Sequence, residues 1–337
     1  MQIKWAEDAG KAGDPTVRYV LRWETLPHNL DRPRLLRRHL RQWGNLFNIE
    51  FVTIGNPGNV ADTEDGNDNQ TGVQNFGSVP DQYRIGKFEI SEDMIDKENA
   101  QSAADGSPLN ITHNGFGANK PAGSVSWFEA AKFINWLNTS SGSTEAYKFD
   151  GAGNFQLWQS GDEGYNPNNL FRNSLAIYFL ASVDEWYKAA YYDPTLGVYY
   201  DYPTGSNSVP DGIDFAGDTT FDVVFREVSG RNNPAPNDIT DVGVLSPYGT
   251  AGQGGNVYER EETDFDLVND SSSSRRGIRG SSWRNRSLDL LSSYRFGSSP
   301  TDGFGINGFR VASIPEPTTS ALALAALCLA MSRRRAF

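Results

Sequence analysis

From Phe51 onward, apolar residues come in short runs set between long stretches rich in Gly, Asn, Asp and Ser. Tyr83-Arg84-Ile85-Gly86-Lys87-Phe88-Glu89-Ile90 is a β-like run of this kind, and the turn-rich loops around it predict sparse regular secondary structure. Two segments predict helices instead. In each, a serine hydroxyl and a glutamate three residues later can satisfy the free N–H groups of a first helical turn. One opens Ser126-Trp127-Phe128-Glu129 and continues through Ala131, Ile134 and Leu137; the other opens Ser182-Val183-Asp184-Glu185 and continues through Trp186 and Ala189-Ala190. Their aromatic residues recur at helical spacing, which predicts core-packing faces rather than ligand contacts. No repeat of about 20–50 residues is present, and the four serines at 271–274 are too short for a linker, so 51–313 reads as one unit.

The two ends differ from this body. Residues 1–50 form an N-terminal extension in which no basic patch is followed by an apolar run, so the expectation is a misassigned start with 1–47 spurious or poorly ordered. The alternative is a basic amphipathic helix around Arg34 to Phe47. At the other end, 314–337, Pro315-Glu316-Pro317 precedes the apolar run Ala321 to Met331 and the cluster Arg333-Arg334-Arg335. That run is shorter than the roughly 20 residues a spanning helix needs, and arginines are costly to translocate, so a transient stop in the membrane is expected. The order of these elements resembles the PEP-CTERM sorting signal of exopolysaccharide-producing Gram-negative bacteria. The resemblance implies export, processing by an exosortase, and a cell-surface or extracellular-matrix location.

Composition narrows the chemistry. The 337 residues are 38% hydrophobic and 12% aromatic, ample for a core, with a net charge of −12. The first fifty residues and the tail are both net basic, so the acidic excess lies in the middle, where it disfavours nucleic acid and suits multivalent cations. Cys328, the single cysteine, sits in the tail, so the body holds no thiol nucleophile, redox pair or disulfide. His28, His39 and His113 are too scattered for a zinc or iron site and read as ordinary surface histidines.

Several segments, in order, carry a second resemblance: GNPGN at 55–59, IGKFEIS at 85–91, SVSWFEAAKFINWLN at 124–138, FLASVDEWYKAA at 179–190, SPYGT and GQGGNVYE within 246–259, RGIRGSSW at 276–283 and NGFRVAS at 307–313. Together they resemble the formylglycine-generating, sulfatase-modifying-factor domain over about 51–313. That implies an α+β, C-type-lectin-like fold with long loops. The family's enzymes hold copper with two cysteines after an Arg-Gly-Gly-Ser motif. Counting forward from Gly280 puts those positions near Asn285 and Leu290, and counting back from Tyr294-Arg295 puts them near Ser282 and Ser287. None can replace a thiolate on copper(I), so no copper is expected. The histidine cluster of the related iron-dependent sulfoxide synthases is also missing.

The resemblance further implies a calcium ion held by the carbonyls of Gly255 and Val257 and the carboxylate of Glu259. The side-chain ligand expected three residues before Gly255 falls on Gly252, so the site is weakened or another acid, such as Asp241 or Asp264, completes it. Arg260, among Glu259, Glu261 and Glu262, reads as part of an exposed ion-pair cluster, and Arg310 as buried and paired. Asp62, Glu64, Asp65 and Asp68 read as a solvated acidic loop.

No catalytic residue is assigned, because G-x-S-x-G, H-E-x-x-H and phosphate-loop motifs are all missing. The leading expectation is an exported, non-catalytic domain that binds extracellular polysaccharide or another matrix component. The alternatives are an oxidase or other enzyme on the same scaffold, and a purely structural surface protein.

Overall fold

The computed structural model describes residues 46–63, 75–212, 222–226 and 235–315. The chain divides into the units Met1–Leu46 and Phe47–Phe337, and the helices and strands of the described residues all belong to the second. Both predicted helices form, α2 at Trp127–Ser140 and α3 at Val183–Tyr191, each with its capping box closed in both directions. Ser182 Oγ accepts from Glu185 N at 3.2 Å while Glu185 Oε2 accepts from Ser182 N at 2.6 Å. A third helix, α1 at Glu92–Ala104, precedes them; the sequence pattern does not predict it, because its acidic, weakly apolar residues show no stripe. Its signal is local: Ser91 Oγ accepts from Met94 N at 3.3 Å.

Strands are short. β1 (Phe51–Ile54) pairs with β2 (Tyr83–Gly86), β2 with β12 (Val311–Ser313), and β12 in turn with β5 (Tyr178–Leu180), all antiparallel. The β-like run at 83–90 is therefore strand only to Gly86. Val311 faces Leu180 across this sheet, and both join the core built on α2 with Trp127, Phe133 and Phe171. Their neighbours Ala312 and Phe179 point the other way, into the core built on α3 with Trp186, Tyr187 and Tyr191. The alternation thus gives one four-stranded sheet a helix on each face. The aromatic helix faces pack the core as expected. Two hairpins, β3 (Lys148–Phe149) with β4 (Phe155–Gln156) and β6 (Tyr192–Asp193) with β7 (Val198–Tyr199), lie outside the main sheets.

The second sheet runs β10 (Phe296–Ser298), β9 (Arg276–Arg279), β8 (Tyr258–Asp264), β11 (Asn307–Gly308), with only β11 parallel to its neighbour. Here one expectation fails. The cluster around Arg260 is not exposed: all seven residues of β8 are buried, Glu259, Glu261 and Glu262 completely. Each carboxylate has a guanidinium from a distant part of the chain. Arg310 holds Glu259; Arg279 and Arg295 reach Glu261 at 3.1 and 2.8 Å; Arg172 reaches Glu262 at 2.9 Å; Arg276 stands 3.6 Å from Asp264. The expectation that Arg310 is buried and paired is met. Arg260 itself donates to the carbonyls of Val125 and Asp302, and burial lowers its pKa to about 10. The sequence misleads because β8 is internal, so both of its faces need filling.

The result is an α+β fold with little regular structure and long loops. No helix among the described residues is long and apolar enough to cross a membrane.

These buried charges can be tested in two ways. Glu261→Gln leaves two buried guanidiniums without their counter-charge and should cost about 3–5 kcal/mol in urea unfolding; a loss under about 1 kcal/mol would mean that the pairing contributes little. Glu98, fully buried on α1 with, among the described residues, only the Ser102 hydroxyl beside its carboxylate, has its carboxyl pushed by burial from 4.5 up to about 7. The folded state therefore keeps a proton that the unfolded chain has lost between those values, and its stability falls as pH rises through that window. Glu98→Gln should melt like the parent at pH 5 and higher than it at pH 8, as read by differential scanning fluorimetry.

Candidate functional site

A pocket of about 450 Å³ opens over the second sheet. β8 contributes Tyr258 to its wall, β9 Ile278, β10 Phe296 to Ser298 and β11 Asn307; the connecting segments add Arg275, Asn285, Tyr294, Asp302 and Phe304. Phe296 and Phe304 are about half exposed at its rim. The Arg275 guanidinium lies 5.8 Å from the Phe296 ring centre and donates to the Gly297 carbonyl. Two polar groups of the lining, Asn307 Nδ2 and Ser298 Oγ, are buried without a hydrogen-bond partner. The site is thus a concave, mostly apolar surface carrying unspent hydrogen-bonding capacity.

Of the four positions counted for the family's cysteines, only Asn285 lines this pocket. Ser282 is buried and donates to Asn285 Oδ1 at 2.6 Å, and Asn285 Nδ2 donates to Asp289 Oδ2 at 2.8 Å. Asp289 lies beside both Tyr258 and Tyr294; burial first and this carboxylate second raise the pKa of both hydroxyls, which stay protonated as donors. Leu290 is fully buried among Tyr202, Val223 and Phe225, and Ser287 opens the 3-10 turn Ser287–Leu290. Hydroxyls, an amide and a carboxylate in one chain of hydrogen bonds offer no soft donor, so these residues do not fit copper(I).

The calcium loop lies elsewhere, at the entry to β8. Gly255 takes a positive φ of 80° with its N–H committed to Gly280 O at 2.6 Å, and Val257 is fully buried. Glu259 Oε2 accepts from Trp186 Nε1 at 2.7 Å and from Arg310 Nε, and Oε1 accepts from Arg310 Nη2. Of the two acids considered as completing ligands, Asp264 is committed to Arg276 and Ser274, and Asp241 is exposed. The structure brings Glu89 instead. A Cβ built on Gly252 would lie 2.8 Å from Glu89 Oε2. Glu89 is buried, its Oε2 accepts from Asn256 Nδ2 at 3.1 Å, and its Oε1 has no partner. Burial, then the nearby Glu259, hold its carboxyl well above the ordinary carboxylate range, against the pull of Arg310. Glu89 Oε1 is the one carboxylate oxygen here without a partner; both oxygens of Glu259 are held by Arg310 and Trp186, and Asn256 Oδ1 accepts from Asn237 N at 2.9 Å, so the donor set does not fit a calcium ion. Sequence reasoning passes over Glu89, which stands out only by its place inside the run Tyr83–Ile90 and the segment IGKFEIS.

Other candidates separate. Asp62 accepts from the Tyr187 hydroxyl at 2.7 Å, while Glu64, Asp65 and Asp68 lie outside the described residues. His113 stands between two carboxylates, with Nε2 3.0 Å from Asp96 and Nδ1 3.6 Å from Glu92. His28, His39, Cys328, Glu316, Pro317 and Arg333 to Arg335 also lie outside the described residues; Pro315 is the last of them.

Residues 50–314 match the family model of the sulfatase-modifying factor enzyme 1-like domain, and the chain belongs to that family. Among solved structures it is similar to Treponema denticola variable protein 1, at 17% identity and a TM-score of 0.55 over 79% of this chain and 95% of that one. It is likewise similar to CarF, at 18% identity and a TM-score of 0.53 over 80% of this chain and 100% of that one. Likeness at this level shows the shared fold. No curated protein matches the sequence significantly.

Proposed function

We propose that this sulfatase-modifying-factor domain is a non-catalytic binding module whose pocket takes a sugar unit of an extracellular polysaccharide. The observation that carries this is the pocket's lining: four aromatic residues, Tyr258, Tyr294, Phe296 and Phe304, beside unpaired Asn307 Nδ2 and Ser298 Oγ, with no thiol. Sugar rings present an apolar face that stacks on aromatic rings and an edge of hydroxyls that both donate and accept, which is the complement of this surface. A volume of about 450 Å³ lies in the ordinary range for a small-ligand site. The hydroxyl and amide chain from Ser282 to Asp289 stands where the family's enzymes carry thiolates, which supports binding over oxidation.

Isothermal titration of the full chain against bacterial exopolysaccharide fractions tests the reading. Saturable binding should weaken tenfold or more in Phe296→Ala, whose side chain is exposed enough to be removed without unfolding the domain. A cooperatively folded chain that binds none of the fractions would sink it.

The tail completes the proposal. Pro315-Glu316-Pro317, the apolar run and the terminal arginines make the protein an exosortase substrate, inserted transiently in the membrane and then delivered to the surface of a Gram-negative cell. An epitope placed ahead of Ile314 should appear at the surface on a shortened chain, and replacing Arg333, Arg334 and Arg335 by Ala should leave the chain unshortened. Equal processing of both chains would rule the signal out.

A further inference from the structure

We propose that the sugar taken by the pocket is a uronic acid, whose carboxylate is held by Arg275 while its ring lies against Phe296. This rests on the reading of the pocket as a sugar site and names the class of sugar.

Arg275 is a cation kept in place without being neutralised. It donates through Nη2 to the Gly297 carbonyl, and its guanidinium stands 5.3 Å from the Phe265 ring centre and 5.8 Å from that of Phe296. These contacts hold the group at the pocket wall, yet among the described residues no carboxylate lies within ion-pair distance of it, and its Nε and Nη1 make no hydrogen bond. The other arginines of this sheet behave differently. Arg276, Arg279 and Arg295 are buried, and each faces a carboxylate, at 3.6, 3.1 and 2.8 Å. Arg275 is exposed, lines the pocket, and stands beside the half-exposed ring on which a sugar would stack.

The other unspent groups of the lining ask for the same ligand chemistry. Asn307 Nδ2 can only donate and Ser298 Oγ is able to donate, and both are buried without a partner. A carboxylate answers such a set with two oxygens that only accept. A guanidinium grips it through two parallel N–H groups, and charge-assisted bonds of this kind are roughly twice as strong as neutral ones.

The one acid of the lining does not cancel the charge of Arg275. Asp302 has Arg260 behind it: Arg260 Nη2 donates to the Asp302 carbonyl, Nη1 is buried without a partner, and Asp302 is the carboxylate that acts most strongly on the Arg260 charge. Those two charges offset each other, and that of Arg275 remains. A single uncompensated guanidinium in a chain of net charge −12 suits one carboxylate among neutral units better than an unbroken polyuronate.

Isothermal titration of the full chain with two probes tests this: oligosaccharides in which glucuronate alternates with glucose, and the same oligosaccharides with every carboxyl reduced to the alcohol. The parent should bind the acidic form about tenfold or more tightly than the reduced form. Arg275→Gln, at an exposed position, should bring that ratio below about twofold, and Arg275→Lys, which keeps the charge but loses the planar fork, should give an intermediate ratio. A merely structural arginine would weaken both forms alike, so a ratio left intact in Arg275→Gln would overturn the assignment. Equal binding of the two forms by the parent would overturn the uronic acid and leave the sugar pocket standing. Binding of neither form by a chain that melts cooperatively would sink the pocket reading and this inference with it.

Discussion

Glu259, Glu261 and Glu262 stand on one strand from which water is excluded, and each survives there only because an arginine from far along the chain closes on it. The partners come from positions 172, 279, 295 and 310, so the pairs fix where segments that are remote in sequence must dock. Arg310 has the widest reach. It sits where the chain leaves β11 in one sheet and enters β12 in the other, gripping Glu259 of β8 in the second sheet and the carbonyls that follow β2 of the first. Apolar residues of the same volume could stabilise such a core as well or better, so what the ion pairs add is a defined partner for each docking segment. With so little regular structure, long loops need that discrimination. Aromatic faces reinforce it: Arg276 lies 4.0 Å from the Phe171 ring centre, and Arg279 lies 4.8 Å from that of Phe76.

What the sequence reveals and what it hides divide along the same line. Helices α2 and α3 are legible because a capping box is a local device, complete within four residues, and the apolar stripe after it repeats at a fixed period. The ordered family segments make the fold legible in the same way. Helix α1 is hidden because its buried positions include Glu92, Glu98 and Ser102, which do not register as apolar. The β8 cluster misleads for a related reason. Glu-Arg-Glu-Glu looks like a solvated surface unless the guanidiniums that will cover it are already known, and their positions are a product of the fold. Glu89 escapes notice because its partner in space is the absence of a side chain at Gly252, 163 positions away.

The pocket inherits its rigidity from this charged core. Tyr258 in its wall precedes Glu259, Ile278 precedes Arg279, and Tyr294 precedes Arg295, so successive residues face alternately into the pocket and into the ion pairs. A ligand entering over the second sheet therefore meets side chains whose neighbours are pinned, and little ordering entropy is lost on binding.

The same arrangement explains how the domain can do without the family's thiols and keep its shape. Ser282, Asn285 and Asp289 form one continuous hydrogen-bonded chain ending beside Tyr258 and Tyr294, so the segment after Gly280 is held by bonds that need no metal. Leu290 anchors its far end in the core with Tyr202, Val223 and Phe225. A site built on copper would need its soft donors free and facing the pocket. Here Asn285, the one position of the four that lines it, is already committed on both its amide oxygen and its amide nitrogen. The groups left uncommitted are Asn307 Nδ2 and Ser298 Oγ on β11 and β10, and both suit a hydroxyl-bearing ligand better than a metal.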